Sequence, residues 1–316
     1  MTVTTRDPAA LARAEVVLRA ACGDRLRTSF RLAPLTTFRI GGPAALFLEP
    51  DSEADLRAAG QAVRETGIPF VVIGKGSNVL VSDEGYPGLV LRLGKGYRWA
   101  ARDGTMVTAG ASMPLPRLAG IALSHSLAGL EFGVAIPATL GGAVRMNAGA
   151  HAHSLEEVIR RVEVFLMGSG EARSVPAGEA GFVYRSSGLP PDGVVVAASV
   201  ALRPGDPASI RGGMDEAREW RRRTQPLAEP NCGSVFKNPP GGHAAQMIDS
   251  LGLKGLAVGG AEVSAKHANF IVARPGARAT EVVALIRTVQ ERVADRFGVR
   301  LEPEVHLVGN FDVTPN

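Results

Sequence analysis

The chain has 316 residues, 45% of them apolar, a formal net charge of +4 and two cysteines. This length suggests two domains and a sizeable core, and the composition argues against a disordered chain. Cys22 and Cys232 lie too far apart in sequence to read as a disulfide framework, and a charge of +4 does not by itself call for a nucleic-acid partner.

The start, "MTVTTRDPAALARAEVV", lacks the apolar core of a signal peptide, and no run of about 18 apolar residues occurs. A soluble cytoplasmic protein is expected. The 38 glycines and 21 prolines point to many turns and close backbone approaches, as in an α/β or α+β fold with a backbone-cradled ligand.

In chain order, a helix is expected over 8–21. "TTFRIGGPAALFLEP" (Thr36–Pro50) reads as a strand, a Gly-Gly break and a second strand. A helix follows from Ser52 to Thr66, closed by Gly67. Phe70–Ile73 is four apolar residues in a row, the pattern of a buried strand, and a glycine-rich loop follows at once. "PLPRLAGIALSHSLAG" (Pro114–Gly129) reads as a helix with proline in its first turn. Ser154 and Glu157 have the spacing of a capping box opening a short helix. "RRVEVFL" and "GVVVAASVAL" read as strands.

"RPGDPAS" (Arg203–Ser209) is the candidate domain boundary. The basic run "REWRRR" (Arg218–Arg223) could bind phosphate, but reads better as the dipole-favoured end of a helix stopped near Pro226. Val282, Leu285, Ile286, Val289, Val293 and Phe297 share one helical face, closed by Gly298. "VRLEPEVHLV" alternates, with Val299, Leu301, Val305 and Leu307 on one face and Arg300, Glu302, Glu304 and His306 on the other. Pro303 makes it an edge strand or a locally bent one.

Five places could carry chemistry. The loop Gly74-Lys75-Gly76-Ser77-Asn78 after a strand suits an anion, because glycine lets backbone N–H groups turn inward. It lacks the Walker and dinucleotide-fold spacings, and alone it fits a structural turn equally well. "GVAIPATLGGAVRMNAGAH" (Gly133–His151) is dense in small residues that let the backbone press on a flat ligand; close packing is the other explanation. Arg185 in "YRSSG" matters only if a carboxylate or phosphate meets it. Ser234 in "NCGSVFKNPPGG" has no histidine beside it and no nucleophile-elbow spacing. Phosphate binding with Lys237 and Asn238, or proton donation by Ser234, remain as roles. Glu304 reads from spacing alone as a surface carboxylate. His151, His153, His243 and His267 match no zinc spacing, so no metal is expected.

Together "TTFRIGGPA", "VIGKGSNVLVSDEG", "GLEFGVAIPATLGGAVRMNAGA", "YRSSG", "NCGSVFKNPPG", "AEVSAKHANFIV" and "LEPEVHLVG", in that order, resemble the UDP-N-acetylenolpyruvoylglucosamine reductases, from about Thr36 to Gly309. The resemblance implies an α+β protein. It would have an N-terminal helical segment (1–30) and an FAD-binding domain of the vanillyl-alcohol oxidase type (31–205, two subdomains split near 95–110). A smaller substrate-binding domain would follow (206–316).

It further implies NADPH-dependent, FAD-mediated reduction of UDP-N-acetylglucosamine enolpyruvate to UDP-N-acetylmuramate, for peptidoglycan synthesis. Its partners would be small molecules, with no nucleic acid and no membrane insertion. FAD would be cradled by Gly74, Lys75, Gly76, Ser77 and Asn78 and by Pro137, Ala138, Thr139, Gly141, Gly142, Asn147, Ala148 and Gly149. It would be held non-covalently, since Ser77 and Asn78 stand where covalent relatives often place a histidine. Ser234 would donate the proton, with Arg185 and Glu304 as catalytic partners. Tyr184, Lys237 and Asn238 would bind the nucleotide sugar.

Two features depart from the family's pattern. His151-Ala152 replaces the usual aromatic-Gly pair after "MNAGA", and the short link after "YRSSG" places the chain in the branch without a tyrosine-bearing insertion. Other readings of the sequence are a different FAD oxidoreductase of this fold, or a non-redox nucleotide- or phosphate-binding protein.

Overall fold

A computed structural model describes residues 7–311. Helix α1 (Pro8–Cys22) starts where Asp7 accepts a hydrogen bond from Ala9 N, and buries Ala10, Ala14, Leu18 and Cys22 along one face. Strand β1 (Arg27–Arg31) pairs antiparallel with β2 (Pro43–Leu48). Helix α2 (Glu53–Thr66) carries a capping box between Ser52 and Asp55 and ends at Gly67 with φ 69°. Strands β3 (Phe70–Val72), β4 (Val79–Val81) and β5 (Tyr86–Leu91) follow. The first sheet runs β1-β2-β5-β3, with β5 parallel to both β2 and β3. Helices α1 and α2 share one core against it, so α1 belongs to this layer.

Two expectations change here. Thr36–Ile40 forms no strand; β1 supplies the partner of β2 instead. The physical reason is that Phe38 and Ile40 point into the C-terminal core, so this segment crosses between layers. The run Phe70–Ile73 is also less buried than four apolar residues suggest. Strand β3 lies at the sheet edge, and Val72 is 37% exposed.

The second layer is an antiparallel sheet with α3 (Leu115–Ser124) and α4 (Leu140–Arg145) packed against it. Its strands are β6 (Ala100–Asp103), β7 (Met106–Gly110), β8 (Ile159–Leu166), β9 (Glu171–Pro176) and β10 (Gly193–Ala201), in the order β9-β8-β10-β7-β6. The helix expected to reach Gly129 stops at Ser124, because Ser126 turns to φ 55° and Leu127–Ala128 pairs with Arg203–Pro204. The Ser154–Glu157 capping box opens only a single 3₁₀ turn before β8.

Helix α5 (Pro207–Thr224) lays Ile210, Met214 and Ala217 into this same core. The core therefore changes after Thr224, beyond the Arg203–Ser209 segment. The arginines of "REWRRR" occupy the last turns of α5, where Arg218 and Arg222 pair with Asp215 and Glu219.

The third layer is β11 (Asn231–Ser234), α6 (Ala244–Ser250), β12 (Ala257–Val258), β13 (Ala261–Val263), β14 (Phe270–Ala273) and α7 (Ala279–Phe297). Its sheet runs β11-β14-β13-β12. Helix α7 buries Val282, Leu285, Ile286, Val289 and Val293 and is capped by Gly298 at φ 68°; Phe297, expected on the same face, is 39% exposed.

The final segment is not one alternating strand. Only β15 (His306–Val308) is regular; Leu301 and Val305 are buried, while Leu307 is 44% exposed. Pro303 lacks an N–H for a ladder, and the chain bends there, bridging to Phe236 before turning to pair with β4.

Asp55 ties the N-terminal helix to this frame. Its carboxylate accepts Arg25 Nη2 at 2.7 Å and the backbone N–H groups of Asp51 and Ser52. Burial alone would raise its pKa, but Arg25 and these N–H groups hold it below the usual carboxylate value. Asp55→Ala is expected to destabilise the protein by about 3 kcal/mol. In the wild type this contribution is present above the ordinary Asp pKa and is lost as pH falls through the depressed one. Urea unfolding of both proteins between neutral and acid pH tests this: the gap should close on acidification, and a gap that persists or widens contradicts it.

Candidate active site

The loop Gly74–Asn78 lies between β3 and β4. Among the described residues, the backbone N–H groups of residues 74–78 donate to no carbonyl or side chain. Five successive free donors on a glycine-rich turn are suited to an anion such as a pyrophosphate. The turn is held by neighbours: Gly76 O accepts from Thr37 N and Thr37 Oγ1 at 3.0 and 3.2 Å. Gly76 has φ 66°, and a Cβ there would meet Leu35 O at 2.1 Å, so no other residue fits. Gly74 rests on Thr139, since a Cβ would come within 2.5 Å of Thr139 Oγ1. That contact joins the two glycine-rich segments the sequence singled out.

The second segment offers something different. Leu140 N and Gly141 N donate to Met113 O and Ala111 O, and Gly142 N to Thr139 Oγ1. These three amides are spent internally, and Pro137, Ala138 and Ala148 offer small surface. Gly141 and Gly149 are required by packing: a Cβ would meet Ala111 Cβ at 2.9 Å and His153 O at 2.5 Å. Asn147 is 2% exposed with its amide bound on both sides, to Val183 O and Glu156 N, so the side chain expected at the cofactor is engaged with protein.

Tyr184 and Arg185 form the tip of a two-residue hairpin, closed by reciprocal bonds of 3.1 Å between Val183 and Ser186. Arg185 has φ 58°, a conformation costing about 1–2 kcal/mol for a side-chain-bearing residue. Its Nε lies 3.1 Å from Glu304 Oε1. The N–H is not aligned on that oxygen, so the contact is an ion pair rather than a hydrogen bond. Both side chains are largely covered, 23% and 15% exposed.

Glu304 is placed by two sets of backbone bonds. Glu304 N donates to Val235 O and Lys237 N to Glu302 O, which sets it beside the Ser234 segment. Glu304 O accepts Asn78 Nδ2 at 3.1 Å, and His306 N donates to Asn78 O, which sets it beside the glycine loop. The surface position read from spacing is thereby corrected. Burial pushes the Glu304 carboxyl above the ordinary range, while Arg185 and Lys237 pull it back in part.

Ser234 ends β11, after Gly233 at φ 81°, whose N–H donates to Asn231 Oδ1. A Cβ on Gly233 would lie 3.9 Å from Ser77 O, so this strand abuts the glycine loop. The half-buried Ser234 hydroxyl has no hydrogen-bond partner among the described residues. Lys237 Nζ lies 2.6 Å from Glu302 Oε1. Asn238 Oδ1 accepts a hydrogen bond from Ala244 N, and the Asn238 N–H lies 3.5 Å from Tyr184 Oη.

Two neighbours escaped the sequence reading. Cys232 is buried near Glu304; desolvation, with a smaller contribution from the Glu304 charge, holds its thiol well above the ordinary range. His306, two residues after Glu304, meets Met146 Sδ through Nε2 at 2.9 Å. The period-two spacing of Glu304 and His306 was the available signal.

The His151-Ala152 departure is the tip of a hairpin between Gly149–Ala150 and His153–Ser154. Both residues have positive φ, 54° and 64°, and the His151 ring packs edge-on against Trp220 at 5.0 Å. No group of three or more His, Cys, Asp or Glu among the described residues is placed to hold a metal ion. No helix among them is long and apolar enough to cross a membrane.

Residues 44–175 match the FAD binding domain family, and residues 225–308 match the family described as UDP-N-acetylenolpyruvoylglucosamine reductase, C-terminal domain. The chain is 46% identical to UDP-N-acetylenolpyruvoylglucosamine reductase of Anaeromyxobacter dehalogenans (strain 2CP-C) over 295 residues, 93% of this chain and 89% of that one. It is 46% identical to the reductase of that name from Heliobacterium modesticaldum, over 87% of this chain and 88% of the relative. Among solved structures, UDP-N-acetylenolpyruvylglucosamine reductase from Thermus caldophilus superposes with a TM-score of 0.77 at 37% identity, covering 90% of this chain and 98% of that one.

The Arg185–Glu304 pair makes a direct electrostatic prediction. Because the folded-state pKa of Glu304 is raised, its stabilising contribution is present below the ordinary Glu value and is lost as pH rises through the raised one. Arg185→Met removes a cation that opposes the rise, so the Glu304 titration should move to still higher pH. Carbon-13 NMR of the glutamate carboxyls reads this; an unmoved or lowered midpoint contradicts the geometry.

Proposed function

The chain belongs to the UDP-N-acetylenolpyruvoylglucosamine reductase family, and from that premise we propose how its residues carry the reduction. It is an FAD-dependent oxidoreductase that uses NADPH to reduce UDP-N-acetylglucosamine enolpyruvate to UDP-N-acetylmuramate, a step toward peptidoglycan. Its nucleotide substrates support a cytoplasmic place of action.

The donor set suits FAD. The free N–H groups of residues 74–78 match its pyrophosphate, and the small residues 137–139 and 148 leave room for a flat ring against the backbone. When bound, FAD supplies the hydride it has received from NADPH. Neither histidine nor cysteine occurs in Gly74–Asn78, which supports non-covalent binding.

Adding hydride to the terminal carbon of an enol ether leaves negative charge on the adjacent carbon, delocalised into its carboxylate. Arg185 is the cation for that charge. Its fork can bind the substrate carboxylate, and in a covered site such preorganised charge lowers the barrier by several kcal/mol. Glu304 is a carboxyl whose burial favours the neutral form. Protonated, it releases Arg185 to the substrate and adds a donor of its own.

The proton needed at the adjacent carbon comes from Ser234. The observation that carries this role is its half-buried, unpartnered hydroxyl, one residue before the carbonyl that receives Glu304 N. A hydroxyl this weakly acidic serves only toward a strongly basic carbon, which is what hydride addition creates. Lys237, close enough to pull down the Glu304 pKa, adds positive charge to the site in which the serine oxygen would lose its proton. Tyr184 and Asn238, whose hydroxyl and N–H meet at the rim, are assigned with Lys237 to the nucleotide sugar.

Ser234→Ala is the decisive variant. FAD should bind, and NADPH should bleach it at close to the wild-type rate. Reoxidation by the enolpyruvyl substrate should slow by about 10²–10⁴-fold. Anaerobic stopped-flow absorbance separates the two half-reactions, and a variant that reoxidises at the wild-type rate removes Ser234 from the mechanism.

A further inference from the structure

Three consecutive residues at the end of α4 hold the carriers of both charged side chains. Asn147 donates from Nδ2 to Val183 O at 3.0 Å and accepts Glu156 N on Oδ1 at 3.0 Å. Val183 O is the same carbonyl that accepts Ser186 N and so closes the hairpin under Arg185. Arg145 takes the other flank: its carbonyl accepts Ser187 Oγ at 2.8 Å, and its guanidinium binds Leu189 O, Pro190 O and Gly193 O. Met146 reaches the opposite carrier through His306, on the strand that follows Glu304.

The grip has a mechanical purpose. Arg185 sits at φ 58°, a conformation that arginine does not favour, so a hairpin released from its anchors relaxes away from it. Asn147 is itself left-handed, φ 41°, which asparagine tolerates better than most residues. Its placement turns the amide away from the glycine-rich surface and toward the hairpin.

We propose that Asn147 is a positioning residue for substrate reduction: it anchors the Val183–Ser186 hairpin so that Arg185 faces Glu304 and the substrate carboxylate. The inference rests on the role given to Arg185 above. It predicts a defect confined to the half-reaction that uses Arg185, because a displacement of about 1 Å in a charged group can cost about 10²-fold in rate.

The test uses the FAD-loaded protein and anaerobic stopped-flow absorbance, with Asn147→Asp, Arg185→Ala and the double variant. Asn147→Asp keeps the acceptor for Glu156 N and loses the donor to Val183 O. It should slow reoxidation by UDP-N-acetylglucosamine enolpyruvate about 10²-fold while changing reduction by NADPH by no more than about threefold. The double variant should lie within about threefold of Arg185→Ala alone, since one residue acts through the other.

Multiplying effects, or equal slowing of both half-reactions, overturn the proposal. A wild-type reoxidation rate for Arg185→Ala overturns the reading beneath it instead. If Asn147→Asp does not load FAD, Ser187→Ala decides. It removes a separate tie to the same hairpin and should slow reoxidation alone by about threefold to tenfold; no effect there overturns the proposal.

Discussion

The arrangement of the site depends on how residues 302–308 are paired. One edge of this short segment bonds to Val235 and Lys237, and the other follows Asn78 into β4. Glu304 is thereby fixed between the serine-bearing strand of one domain and the glycine loop of another. Pro303 lets one segment do both, because it ends the first pairing and bends the chain into the second. The segment Thr36–Ile40 repeats the device from the other side. It binds Gly76 O, receives Asn231 N, and puts Phe38 and Ile40 into the C-terminal core. The two crossings align the glycine loop, Ser234 and Glu304 without a rigid single-domain frame.

On that scaffold the electrostatics are set by desolvation. Burial raises the pKa of Glu304, and the two cations nearby offset this only in part. A carboxyl poised in this way can pair with Arg185 or yield it to a substrate carboxylate. Cys232 stays a neutral thiol behind it, adding no charge. The backbone at Arg185 is held in a conformation it does not favour, a feature expected where the surrounding structure dictates side-chain placement. In the proposed role Ser234 needs no base, because a proton given to a carbanion requires none.

Local signals recovered α1 and α2 almost to the residue and the buried face and end of α7, since Gly67 and Gly298 stop two of them in the left-handed conformation. They failed where distant parts of the chain decide. Thr36–Ile40 looks like a strand because Phe38 and Ile40 alternate with polar residues, yet those side chains serve another domain's core. Glu304 looks like a surface carboxylate because nothing local reveals that β4 and Val235 close over it. Ser234, Arg185 and Glu304 could be grouped from sequence only through the family resemblance, for they lie far apart along the chain. Asn147 was legible as part of the glycine-rich segment, but the direction of its amide was not. The glycine loop read equally as a turn or a cradle, and its five unpaired N–H groups favour the cradle.

The central claim is that one cleft accepts electrons from NADPH and passes them to the enolpyruvyl sugar nucleotide. Its most direct test is a sequential anaerobic titration of the wild-type protein. One equivalent of NADPH should bleach the flavin absorbance. One equivalent of UDP-N-acetylglucosamine enolpyruvate should then restore it, with formation of one equivalent of UDP-N-acetylmuramate. A flavin that bleaches and stays bleached after the second addition would contradict the account.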